Sequence, residues 1–113
     1  MANWTLEAAP WAVGKAGRAV VGRLHEWGYR HADRVAVDLA ELLVRTAVAD
    51  GGRRVSVHVA DQDAQVLIVA LSHRSGLAPG GGEVLSELAA LGAVSCGTDA
   101  AEDGRRVWAV LDL

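Results

Sequence analysis

Apolar positions crowd residues 33–50, DRVAVDLAELLVRTAVAD, at a spacing that predicts one strongly apolar helix. Val35, Leu39, Leu42 and Thr46 recur along one face, and Val37, Ala40, Val44 and Val48 form a second stripe beside it. Polar residues keep a narrow edge of Arg34, Asp38, Glu41 and Arg45, with Glu41 and Arg45 spaced as an i,i+4 ion pair. Asp33 is the expected N-cap and Gly51-Gly52 the expected stop. A helix this apolar needs cover on most of its surface, so it belongs at the centre of the core.

The remaining pattern builds around it. Residues 3–8 alternate as a short edge strand ended by Pro10. Residues 13–27 place Val13, Ala16, Val20, Leu24 and Trp27 on one helical stripe, with Gly28 as its stop. Residues 54–60 alternate cleanly, with Val55, Val57 and Val59 inward and Ser56 and His58 outward. Asp61-Gln62-Asp63 is the expected hairpin turn. The next strand, residues 65–72, is apolar on both faces, which marks it as central. A Gly-rich loop over residues 73–82 leads to a third helix at 83–91, with Val84, Leu85, Leu88 and Leu91 inward. Residues 93–97 and 105–113 close the chain as two strands around an acidic turn at 99–104. The order β-α-α-β-β-α-β-β predicts an α/β fold over residues 1–113 as one domain: a two-layer sandwich with a mostly antiparallel sheet and helices on one face.

Composition narrows the class. Half of the residues are hydrophobic and 22% are charged, the balance of a globular chain. The net charge of −3 and the scattered arginines give no basic stripe, so nucleic acid is not an expected partner. The longest apolar runs fall well short of a bilayer span, and no basic-then-apolar leader opens the chain, so a soluble cytoplasmic protein without a membrane partner is expected. The single Cys96 excludes an internal disulfide and reads as a small buried hydrophobe. His25, His31, His58 and His73 are spaced too widely for a metal site. Ser72 and His73, adjacent on a strand, point to opposite faces and are not a dyad. On the last strand, Trp108 and Val110 share the face away from Val107, Ala109 and Leu111. Joined by Val66, Ile68 and Ala70 of the central strand, they would form an apolar face open to a protein partner or to a second copy, unless the first strand or Trp4 and Trp11 cover it.

Three stretches carry a family resemblance. They are Trp4-Thr5-Leu6 with Pro10 and Trp27-Gly28; Leu42-Leu43-Val44-Arg45-Thr46-Ala47-Val48; and Gly104-Arg105-Arg106-Val107-Trp108. Over nearly its whole length the chain resembles the ATP-binding (Bergerat-type) fold of the GHKL, or histidine-kinase-like ATPase, superfamily. Within it, the chain is most similar to stand-alone actinobacterial anti-sigma-factor kinases of the SpoIIAB and RsbW type. In that family the second stretch reads ELVTNAV, its Glu serving as general base and its Asn holding Mg²⁺.

The resemblance maps a nucleotide pocket onto residues that have lost its chemistry. The base and the metal ligand are replaced by Leu42 and Thr46, and the only Asn in the chain is Asn3. Leucine cannot take a proton, and general-base catalysis alone is worth about 10²–10⁴ in rate. A Thr hydroxyl is a poor substitute for the oxygen ligands that Mg²⁺ prefers. The family's adenine-binding Asp is replaced by His73, and its following Gly by Ser75 with Gly76 next. Gly80, Gly81 and Gly82 stand where a lid would meet a helix N-terminus, on a short span, and Arg106 replaces the Thr of the last motif. The expectation is therefore a non-catalytic regulatory protein in transcriptional control, anti-sigma-factor-like, without cofactor. Its implied partner is a sigma factor, an anti-sigma antagonist or a helix-turn-helix regulator. The alternatives are a serine kinase that retains ATP and Mg²⁺, with Asp38 or Glu41 as base, and a module whose shrunken pocket holds another small ligand.

Overall fold

The computed structural model describes residues 1–74, 76 and 82–113. Its elements run β1 (Ala2–Glu7), α1 (Trp11–Glu26), α2 (Asp33–Ala49), β2 (Arg54–Gln62), β3 (Gln65–Ser72), α3 (Gly82–Leu91), β4 (Ser95–Ala101) and β5 (Gly104–Asp112). The strands form one sheet in the order β1-β2-β3-β5-β4, every neighbouring pair antiparallel. The helices form the second layer, with α2 across β2, β3 and β5, α1 beside it and α3 between it and β4. Among the described residues, no helix is long and apolar enough to cross a membrane.

The middle of α2 is buried nearly all round, as its composition requires. Ala36, Leu39, Ala40, Leu43 and Val44 are fully buried, with Ala47 and Leu42 nearly so. The alanines at 36, 40 and 47 keep that face thin, while Leu39 and Leu43 fill the space between the layers. Truncating such a leucine to Ala costs about 2–5 kcal/mol. Val35, Val37, Thr46 and Val48 are only half-buried, so the centre of the buried face lies between the two stripes read from the pattern. Gly51 follows the helix at φ +85°, the left-handed stop that its sequence position suggests. Asp33 is the first helical residue and not the N-cap, which is Ala32 with no side-chain hydrogen bond. The i,i+4 ion pair that forms on α2 is Arg34–Asp38 at 3.2 Å, whereas Glu41 lies against Gly17 of α1.

Strand register makes the main corrections. Val66, Ile68 and Ala70 do not join Trp108 and Val110 on the outer face; all three are fully buried beneath the helices. Cross-strand pairing decides this. Ala70 and Ile68 sit opposite Val57 and Val59 of β2, and opposite Val107 and Ala109 of β5, all inward-facing. A strand apolar on both faces carries no such information in its own alternation. The outward set of β3 is Leu67, Val69 and Leu71, with Val69 directly opposite Trp108. The β2–β3 turn also falls later than expected, at Asp63 and Ala64, both at positive φ (53° and 63°), which makes a two-residue hairpin of the type whose twist suits the strands. β4 and β5 extend through most of the expected acidic turn, leaving Glu102 and Asp103 at the tip between the paired Ala101 and Gly104. In α3 only Leu88 is fully buried, and Val84, Leu85 and Leu91 pack at the core's margin.

Candidate functional site

The family resemblance points first to Leu42 and Thr46 on α2. A shallow groove of about 370 Å³ runs there, lined by Arg34, Asp38, Glu41, Leu42, Arg45, Glu87 and Leu91. Leu42 is buried, and the Thr46 hydroxyl donates to the Leu42 carbonyl at 2.8 Å, so it is turned back onto its own helix. Three carboxylates face two guanidinium groups in this groove, and Asp38 is held by Arg34. Such a lining offers a polyphosphate net repulsion.

The other positions implied by the resemblance are not gathered here. His73 is exposed, and its Nε2 shares a 2.6 Å hydrogen bond with Ser56 Oγ. No acid backs the His73 ring among the described residues, so the contact lacks the orienting third member of a nucleophilic triad. Gly76 is exposed at φ +79°, and Gly82 opens α3 with free space around it. Gly80 and Gly81 lie outside the described residues. Arg106 points away from the helices altogether. It binds Asp99 on the outer sheet face through Nε at 2.8 Å and Nη2 at 3.1 Å, and that hydrogen bond, followed by the carboxylate's charge, raises the guanidinium's pKa. Among the described residues, no three His, Cys, Asp or Glu side chains gather as metal ligands.

What occupies the inner end of β5 is Arg105. Its guanidinium grips the Asp50 carboxylate through Nε at 3.2 Å and through Nη2, and the two side chains are only 17% and 7% exposed. Ser72, fully buried at the end of β3, donates to the same carboxylate at 2.6 Å. Arg74 Nη1 donates to the Asp50 carbonyl at 2.7 Å, capping the C-terminal end of α2. Gly104 lets β5 enter this knot, since a Cβ there would stand 1.8 Å from the Ser72 carbonyl oxygen. The cluster ties α2, β3 and β5 together, and among the described residues no buried side-chain polar atom is left without a partner. It was legible in part, because Arg105 shares strand parity with the inward Val107; its partner Asp50, far away in sequence, was not.

The outer sheet face is apolar at its centre. Leu67, Val69, Leu71, Ala60 and Trp108 line a concavity of about 550 Å³, bordered by Met1, His58 and the Asp99–Arg106 pair. Leu67 is 38% exposed. The Trp108 indole lies against Gly97 of β4, where a Cβ would stand 2.4 Å from the ring. A second apolar groove, of Pro10, Val13, Val48 and Ala49, lies where α1 begins, beside the exposed Trp11.

A scan of the chain against models of known protein families finds no match, and a search of curated proteins finds none either.

Proposed function

We propose that this chain is a non-catalytic regulatory protein on a degenerate ATPase scaffold, acting by protein–protein binding in transcriptional control. The observation that carries the reading is the state of the two key positions on α2. Leu42 is buried in the core, and the Thr46 hydroxyl is consumed by the helix backbone, so neither of these two positions offers the groove a base or a metal ligand. The groove's excess of carboxylate over guanidinium points the same way. The two exposed apolar surfaces, the outer sheet face and the groove beside Trp11, support binding as the activity. The partner class rests on the resemblance to anti-sigma kinases alone: a sigma factor, an anti-sigma antagonist or a helix-turn-helix regulator.

Calorimetric titration with ATP and with ADP, each with Mg²⁺ to millimolar concentration, tests the first half. No binding heat is expected, and micromolar binding would overturn the reading in favour of a nucleotide-dependent kinase or switch. Titration of purified sigma factors and their antagonists from the same organism tests the second half. Saturable binding by one of them is expected, and binding by none would remove the transcriptional assignment.

A further inference from the structure

We propose that Ser56 is an acyl-acceptor site, modified by an activated ester that carries an apolar acyl chain, with His73 as its general base. Ser56 Oγ and His73 Nε2 lie 2.6 Å apart, the reach of a nucleophile and its base. With the ring protonated at Nδ1, Nε2 accepts directly from the hydroxyl. In a triad a carboxylate holds the imidazole in place; here the backbone does so. The residues on either side of His73 are both fastened to Asp50, Ser72 by donating to its carboxylate at 2.6 Å and Arg74 by donating to its carbonyl at 2.7 Å. Ser72 is fully buried on the inner face, so the next side chain, His73, emerges on the outer face beside Ser56. Ser56 itself is fixed within the sheet, paired with Thr5 of β1 and Leu71 of β3. Two groups held in this way need little reorganisation before a proton moves between them. Ser56 keeps 9% exposure and the His73 ring is exposed, so the pair is approached from the outer face.

The surroundings of Ser56 define the acyl group. Leu71 stands directly opposite it, and Val69 and Leu67 follow outward along β3, with Trp108 opposite Val69. These four line the concavity of about 550 Å³, so Ser56 sits at the head of an apolar track. From Leu71 to Leu67 the track runs roughly 13 Å, enough for a medium-length hydrocarbon chain. Arg106 at its border is already bound to Asp99 through two nitrogens, so an uncharged chain is the match.

The Ser56 oxygen attacks the acyl carbon while the hydroxyl proton passes to His73 Nε2. The adduct then collapses, the bond to the leaving oxygen or sulfur breaks, and the leaving group takes the proton from His73. The products are an ester on Ser56 and a free phenol or thiol, and nothing is oxidised or reduced. Strand β2 lies between β1 and β3, so its backbone around Ser56 is engaged in two ladders and offers no paired N–H groups to an oxyanion. The donor must therefore bring a good leaving group of its own, as aryl esters and thioesters do. The ester formed on Ser56 has a poor leaving group, so it persists. One acyl group per chain is a modification and not turnover. The site stands apart from the nucleotide reading, which rests on Leu42 and Thr46, and failure of either leaves the other intact.

The test mixes the full chain with p-nitrophenyl octanoate and follows p-nitrophenolate release together with the intact mass. One equivalent of release is expected, after which the reaction stops, with a single octanoyl group that maps to Ser56 after proteolysis. Ser56→Ala should abolish that equivalent. His73→Gln, which keeps a hydrogen-bonding side chain but cannot take the proton, should slow it at least about 100-fold. With spontaneous hydrolysis subtracted, p-nitrophenyl acetate should react at least about tenfold more slowly than the octanoate, because each methylene laid on apolar surface contributes up to about fourfold. Leu67→Glu, at the far end of the track, should slow the octanoate reaction at least about tenfold. Far-ultraviolet dichroism and the unfolding transition check that each variant is folded, and the mapping on the wild-type chain needs no variant at all. No release above the buffer rate would overturn the proposal, as would a label on Lys15, Cys96 or the α-amino group in place of Ser56. So would His73→Gln reacting as fast as wild type, or equal rates for the two esters.

Discussion

Replacing Arg105 by Met leaves the Asp50 carboxylate buried and without its cation. The pair is well shielded, at 17% and 7% side-chain exposure, so water recovers little of the lost interaction. Removing one partner of a buried ion pair costs about 3–5 kcal/mol. The lower end applies here, about 3 kcal/mol, because Ser72 still donates to the carboxylate at 2.6 Å. For a domain of this size that is a fall in melting temperature on the order of 10–15 °C. Converting Asp50 to Asn in the same chain removes the orphaned charge, while the amide carbonyl still accepts from Ser72. The double variant should therefore recover to within about 1–2 kcal/mol of wild type. Urea unfolding followed by tryptophan fluorescence measures both, and closes a double-mutant cycle with Asp50→Asn alone. A cost below about 1 kcal/mol for Arg105→Met, or a double variant as unstable as the sum of the singles, would refute the claim that this pair ties α2 to β5.

Three further outcomes follow from the same geometry. Gly104→Ala forces a methyl into the Ser72 carbonyl, against rigid backbone, and should cost about 3 kcal/mol in a urea melt; a neutral substitution would mean that β3 and β5 are not this close. Leu42→Glu with Thr46→Asn, which places on α2 the two residues that the resembled ATPase family carries, should destabilise the protein by burying a carboxylate, and should produce no ATP turnover in a phosphate-release assay; turnover in this variant would overturn the non-catalytic reading proposed above. Tyr29, the only tyrosine, donates to Asp61 at 3.0 Å, and that hydrogen bond raises its pKa above the ordinary value of about 10. Because the folded value is raised, its contribution to stability is complete below about pH 10 and is lost as pH climbs through the folded midpoint. Asp61→Asn should bring the ultraviolet titration midpoint back down, and an unmoved midpoint would remove the hydrogen bond.

By itself the sequence determined the element order, the helix α2 and the inward faces of β2 and β5, because each leaves a local periodic trace: 3.6 residues for the helix and two for the strands. Val55, Val57 and Val59 were readable in this way, as were Val107, Ala109 and Leu111. So was the absence of a base and a metal ligand at Leu42 and Thr46, a matter of residue type alone. The tertiary structure alone decided which face of β3 is outward, since Leu67, Val69 and Leu71 are as apolar as Val66, Ile68 and Ala70; only pairing with β2 and β5 distinguishes them. It also decided the partners of the β5 arginines, Asp99 for the outward Arg106 and Asp50 for the inward Arg105. Both outcomes join residues on different elements, and contacts between distant segments leave no periodic mark in either one.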